Sequence, residues 1–170
     1  LMPACALGVY QFGLRALLIL LVSTLTCAAT EYIYLRLMKR QQGPYECSAI
    51  VTGMLIGMNM PPTVPLWIPV VGSAFAILVV KQVFGGLGQN FMNPALAARC
   101  FLLISFPAIM TDFNCDAYSG ATPLAMLKAG ETVNVTDMIV GNVAGTIGET
   151  SMIAIIIGAC FLILLGIIDL

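Results

Sequence analysis

Histidine is absent from this 170-residue chain, and charged side chains make up only 9% of it. Without imidazole there is no Ser-His or Cys-His catalysis, no His-ligated haem and few of the known catalytic zinc sites. A water-facing domain carries roughly 25% charged residues, so the deficit excludes an ordinary soluble enzyme. The net charge is −1. No basic stripe interleaved with aromatics is present, which excludes a nucleic-acid partner. No two cysteines are spaced CxxC, and disulfides are not indicated. Cys5, Cys27, Cys100 and Cys160 sit in apolar surroundings and read as small buried hydrophobes, with a cluster shared with another subunit as the alternative. No signal peptide is recognisable. The chain starts Leu1-Met2-Pro3 and stops at Asp169-Leu170, just past an apolar run, which is expected of a fragment lacking both original ends.

What is present is hydrophobic: 60% of the residues. Residues 16–30 carry no charge, and the apolar pattern continues to Met38 across Glu31 and Arg36. About 20 apolar residues cross the roughly 30 Å hydrocarbon layer, so this stretch reads as one helix. Residues 47–80 are uncharged but too many for a single span. The cluster Met60-Pro61-Pro62-Thr63-Val64-Pro65 interrupts them, because proline removes a donor and breaks the helical ladder. Two helices are expected, about 48–60 and 66–83, the first short for a full crossing. A further helix is expected from Pro94 to about Met110, carrying Arg99; an intramembrane arginine faces a partner or cavity or snorkels to the interface. Residues 150–168 form a last apolar run.

Basic residues set the orientation. Arg36, Lys39 and Arg40 place the loop at 39–47 in the cytoplasm. Alternate crossings then put 61–65 outside, Lys81 and the glycines after it inside, and the polar loop 111–149 on the extracytoplasmic side. Arg15 and Lys128 dissent.

Two segments stand out chemically. The first is Gly85-Gly86-Leu87-Gly88-Gln89-Asn90-Phe91-Met92-Asn93-Pro94-Ala95, irregular yet inside an apolar region, where such backbone survives only if protein or a cavity covers it. It follows no strand and is not a dinucleotide fingerprint. Close helix packing through small residues and a broken helix lining a cofactor or ion path are both open, and Asn90 and Asn93 can satisfy free backbone groups in either. The second is Asp116-Ala117-Tyr118-Ser119-Gly120-Ala121-Thr122-Pro123-Leu124. On composition, Thr122 caps a helix with Pro123 at its first position. Glu31 is the only carboxylate well inside an apolar span. Glu149, before the last helix, reads as a solvated carboxylate favouring the helix dipole. Both are candidates for cation passage.

The Asp-x-x-Ser-Gly-Ala-Thr stretch resembles the flavinylation motif of redox-driven ion pumps. The glycine segment from Phe84 to Ala95, the run Leu103-Ile104-Ser105-Phe106-Pro107, and Gly145-Thr146-Ile147-Gly148-Glu149-Thr150-Ser151 are similar, in the same order, to stretches of the family that holds the D subunit of the Rnf complex and the B subunit of the Na⁺-translocating NADH:quinone reductase. The Ser-Phe-Pro run fits the Rnf branch. The resemblance covers about 1–170, the first half or so of a longer family member.

It implies an all-α integral membrane protein: a polytopic transmembrane helix bundle, one membrane domain over 1–170, with a broken or re-entrant segment near 84–95. It implies FMN joined to Thr122 by a phosphoester, with Ser119, Gly120 and Ala121 in the attachment motif and Asp116 in recognition by a flavin transferase. A second, non-covalent riboflavin is also implied by the family. The implied role is electron transfer in a complex that couples ferredoxin:NAD⁺ oxidoreduction to Na⁺ or H⁺ export across a prokaryotic cell membrane. The partners would be the other Rnf subunits and the lipid bilayer; no catalytic side chain and no metal site is expected in this chain. The quinone-reducing relative is the alternative enzyme, and a flavin-free solute channel or transporter the alternative of another class.

Overall fold

A computed structural model describes residues 1–39, 47–86, 88–113, 123–130, 134–141, 143–149 and 151–166. The elements are helical throughout, and no strand occurs among the described residues. Helix α1, Met2–Phe12, starts with a proline in its first turn and ends at Gly13, whose φ of 70° suits glycine and lets the chain turn directly into α2, Leu14–Leu37. With 24 residues, α2 is about 36 Å long at 1.5 Å per residue. It is the one described helix long and apolar enough to cross a bilayer. The next three are α3, Ser48–Met58; α4, Trp67–Phe75; and α5, Pro94–Ser105. Short α6, Pro107–Met110, α7, Pro123–Lys128, and α8, Val135–Val140, precede α9, Met152–Leu164.

The boundaries follow from local chemistry. The prolines at 61, 62 and 65 separate α3 from α4, as expected. Asn93 caps α5, accepting the Ala95 amide at 3.0 Å, with Pro94 in the first turn. The expected helix from 94 to 110 is broken at Phe106, because the residue before a proline is pushed out of helical geometry; Phe106 sits at φ −134° and ψ 56°. Helix α4 runs on into a π-helical segment, Ala76–Gln82. Its wider turn persists past the end: Val83 N–H donates to Leu78 O at 3.1 Å, and Gly86 N–H to Lys81 O at 3.0 Å. Both bonds close over five residues, the π pattern, which in other proteins is frequent at functional sites.

Helices α2, α3 and α4 form the centre. Helices α2 and α4 run parallel: the Ser73 hydroxyl donates to Ser23 O at 3.2 Å, and Lys81 meets Glu31 two turns further along both helices. Helix α3 runs back between these levels, tight against α2. A Cβ on Gly53 would lie 2.6 Å from Thr24 Cα, and one on Gly57 would lie 3.1 Å from Leu20 Cα. This four-residue spacing of small residues lets two backbones approach closely. Ala16, Ile19, Cys27, Ile56, Ala76 and Ile77 fill the seam and are fully or almost fully buried. Helix α5 covers the other side of α4, with Phe75 and Phe101 stacked at 4.2 Å and Trp67 edge-on to Phe106 at 5.2 Å. In α9 only Ala154 is buried; its isoleucines and leucines face outward, a surface suited to lipid or protein rather than water.

Close packing is therefore not the role of the glycines at 85–88. Gly85, Gly86 and Gly88 have φ of 114°, 99° and 84°, and a Cβ would meet nothing nearer than 3.4 Å. They reverse the chain after the π segment, and Phe84 against Phe91 closes the turn, 4.6 Å between ring centroids. With its amide nitrogen turned toward them, Asn90 reaches the carbonyls of Val80 and Gly86 at 3.3 Å. The broken segment near 84–95 is present as an irregular turn. The cysteine reading holds for Cys5 and Cys27, which are buried, but Cys100 and Cys160 are exposed, since each lies on the outer side of a helix at the rim of the bundle.

Candidate functional site

The flavin-attachment residues Asp116, Ser119, Gly120, Ala121 and Thr122 lie outside the described residues. Their flanks are described. Thr63 Oγ1 donates to Asp112 O at 2.7 Å, and Arg15 donates to Thr63 O at 2.9 Å. The start of the polar loop is thus fixed beside the 61–65 turn and the first turn of α2, at the end of the bundle away from Lys39. The orientation reading put 61–65 and 111–149 on one side; the Thr63–Asp112 bond joins the two at the start of the loop. Helix α7 begins at Pro123, directly after Thr122, as expected.

The Lys39 half of the bundle holds a buried charged cluster. Glu31 of α2 and Lys81 of the π segment form an ion pair in which each side chain is 2% exposed. The Lys81 ammonium also donates to Ser48 Oγ at 2.6 Å, and Gln82 Nε2 donates to Glu31 Oε1 at 2.9 Å. Glu31 Oε2 is buried without a hydrogen-bond partner. Adjacent residues on an α-helix point about 100° apart. Here Lys81 and Gln82, at the end of the π segment, converge on one carboxylate oxygen. Three elements meet in this cluster: α2 through Glu31, α3 through Ser48, and the end of α4.

A second polar cluster lies toward the Arg15 end. Arg99 of α5 donates to Asn59 Oδ1 at 2.6 Å and to Glu149 Oε1 at 3.3 Å. Thr146 Oγ1 donates to Glu149 Oε2 at 2.8 Å. The arginine therefore has partners and does not simply snorkel, and both oxygens of Glu149 are engaged although that residue is 59% exposed. The surrounding Gly145–Ser151 stretch has a structural job of its own. Ile147 and Gly148 donate their amides to the carbonyls of Met60 and Met58, at 3.2 and 2.9 Å, which satisfies free carbonyls at the end of α3. A Cβ at Gly148 would lie 2.6 Å from Met58 Cβ, and one at Gly8 would fall on the Ile147 carbonyl.

Sequence reasoning finds Glu31 but not its partner. Hydropathy makes Lys81 a loop marker on the inner side, because it ends an apolar run; it is buried instead. Ser48 and Gln82 carry no local mark either, since the contacts join residues 33 to 51 positions apart. No group of three or more potential metal ligands occurs among the described residues.

Several known proteins are similar to this chain. The model of the NQR2, RnfD, RnfE family matches residues 1–170. The D subunit of the Na⁺-translocating ferredoxin:NAD⁺ oxidoreductase complex of Acetobacterium woodii is 49% identical over 99% of this chain and 56% of its own length. Its counterpart in the proton-translocating complex of Clostridium ljungdahlii is 34% identical over 96% of this chain and 54% of its own. The B subunit of the Na⁺-translocating NADH-quinone reductase of Neisseria meningitidis is 41% identical over 66% of this chain and 31% of its own. The chain thus spans about half the length of the ferredoxin-linked relatives it matches.

Proposed function

Because the chain belongs to the NQR2, RnfD, RnfE family, we propose that it is part of the D subunit of an Rnf-type complex and carries a covalent FMN on Thr122. The complex would couple ferredoxin:NAD⁺ oxidoreduction to export of Na⁺ or H⁺. The observation that carries this reading is 49% identity to a ferredoxin-linked D subunit over an alignment that covers 99% of the chain, together with the Asp-x-x-Ser-Gly-Ala-Thr motif ending at Thr122. The quinone-reductase reading has 66% coverage of the chain behind it and is the second choice.

The residues suit a tethered flavin. A threonine hydroxyl is the oxygen a phosphoester needs. The hydrogen bond from Thr63 to Asp112 anchors the loop four residues before Asp116, so the tether starts from a rigid rim. Bound FMN supplies the redox chemistry; the chain supplies position and electrostatics. Ser119, Gly120 and Ala121 are small and let a transferase reach the hydroxyl, and Asp116 is assigned to recognition. A second, non-covalent riboflavin belongs to this reading without an assigned residue.

In this reading the chain is a multi-pass protein of a prokaryotic cell membrane. Helix α2 makes a full crossing, and the shorter apolar helices α3, α4 with its π segment, α5 and α9 supply full or partial crossings. Its partners are the other Rnf subunits, the flavin transferase and lipid. Glu31 and Glu149 are proposed cation-path residues. Glu31 is supported by its burial and its free oxygen; Glu149 has a weaker case, since Arg99 and Thr146 hold both oxygens.

Mass analysis of the peptide containing Thr122, from protein made alongside a flavin transferase, tests the assignment. A mass increase matching FMN is expected, absent in Thr122→Ala. An unmodified wild-type peptide under those conditions refutes the flavin reading and returns the flavin-free channel or transporter to the front.

A further inference from the structure

A buried ion pair in an apolar bundle is costly unless every charge and lone pair is met. At the α2–α3–α4 cluster one is not. Lys81 is matched to Glu31 and to Ser48 Oγ, while Glu31 Oε2 faces the interior with no partner. Two oxygens with unused lone pairs thus belong to this cluster: the Ser48 hydroxyl that the lysine ammonium touches, and Oε2 of the carboxylate whose Oε1 it meets. The ammonium sits where a small monovalent cation would be held by carboxylate and hydroxyl oxygens, the ligand type that hard cations prefer.

We infer that Lys81 is a tethered occupant of an alkali-cation site at Glu31, and that a sodium-class ion enters this site by displacing the ammonium. The inference rests on the cation-translocating role proposed above and identifies the residue that gates the site. Exchange of one positive charge for another never leaves the carboxylate uncompensated, which avoids the largest penalty for a charge inside a membrane protein. Gln82 remains on Oε1 and keeps the carboxylate oriented while the ammonium leaves. Lys81 lies in the last turn of the π segment, four residues before Gly85, whose φ of 114° begins the chain reversal, and the intervening Val83 is exposed. A lysine has a flexible stem and a compact charge, so it can swing out; an arginine fork would grip the carboxylate at two points. Lys81 is thus a positioning residue that competes with the transported ion.

The test uses the assembled complex in proteoliposomes, with ferredoxin:NAD⁺ turnover and ²²Na⁺ uptake measured against Na⁺ concentration at fixed pH. Lys81→Gln removes the competitor, and the half-saturating Na⁺ concentration is expected to fall by about tenfold. Lys81→Arg strengthens the competitor, and the same concentration is expected to rise by about tenfold. These opposite shifts are the signature, because loss of a purely structural clamp would move both variants the same way. Shifts in one direction, no shift, or a wild-type complex indifferent to Na⁺ would overturn the inference.

If the single variants do not assemble, Glu31→Gln with Lys81→Gln keeps the pair neutral. Loss of ²²Na⁺ uptake per ferredoxin:NAD⁺ turnover, in an assembled complex that carries FMN on the Thr122 peptide, supports a cation site. Normal uptake, or failure of this double variant to assemble, identifies the pair as a clamp and overturns the inference. The FMN mass on the Thr122 peptide is read in each sample. A missing flavin in the wild type points to failure of the functional assignment, and a flavinated complex with unshifted Na⁺ dependence to failure of the Lys81 role alone.

Discussion

Replacing Gly53 by alanine tests the packing on which the buried cluster depends. The added Cβ would lie 2.6 Å from Thr24 Cα and 2.9 Å from the Ser23 carbonyl oxygen. Carbon–carbon contacts settle near 3.5–4.0 Å, so α2 and α3 must part by about 1 Å. The obstructing atoms are backbone and cannot rotate away. Overpacking of this kind costs about 1–3 kcal/mol, and rigid obstruction favours the upper end. Alanine returns about 1 kcal/mol of helix propensity. The net loss is then about 2 kcal/mol, a drop in Tm of roughly 4–8 °C for a chain of this size. Gly158 of α9 is the control: nothing lies within 4 Å of its added Cβ, so Gly158→Ala should be neutral or stabilising by up to about 1 kcal/mol. The assay is thermal unfolding of the purified, detergent-solubilised protein followed by the fluorescence of Trp67. Equal melting temperatures for Gly53→Ala and Gly158→Ala would refute the close-packing account of α2 and α3.

Two other substitutions probe the irregular segment. Asn93→Ala removes the acceptor for the Ala95 amide and should cost about 1 kcal/mol in the same assay, while Asn93→Asp should hold near wild type; equal losses would refute the capping role. Gly86→Ala meets no atom closer than 4.0 Å but must hold φ near 99°. It should therefore cost about 1–2 kcal/mol from backbone strain alone, with Gly86→Asn losing less; a wild-type Tm for the alanine variant would show that the turn relaxes freely.

Much of the helix pattern is legible because apolar runs and prolines act locally. The break at Pro61-Pro62 and the helices on either side of it fall within about two residues of their expected places, and Asn93-Pro94 marks the start of α5. Glu31 announces itself as a carboxylate in an apolar span. What escapes is non-local or depends on backbone shape. Hydropathy treats Lys81 as the end of a run, because its buried partner is 50 positions away. Gly53 and Gly57 look like any small residues in an apolar helix until α2 lies against them, whereas Gly85, Gly86 and Gly88 look like packing glycines until their positive φ is seen. Helix α1 is not among the expected helices, since Gly8 and Gly13 dilute its pattern; its seat is the Ile147 backbone, far along the chain. The attachment motif itself is legible only through resemblance, as Thr122-Pro123 on composition is an ordinary helix start.

The parallel course of α2 and α4 has an electrostatic consequence. Two helices aligned in one direction add their macrodipoles, so both carbonyl ends, each equivalent to about half a negative charge, point toward the Lys39 end of the bundle. Arg36 in the last turn of α2 and Lys81 in the last turn of the π segment that continues α4 oppose that field. Of the two, only Lys81 does so from the interior. Were its ammonium removed with nothing in its place, the interior would hold a carboxylate and two negative helix ends, offset in part by the amino end of α3 at Ser48. That field favours exchange of the ammonium for another cation over an empty site.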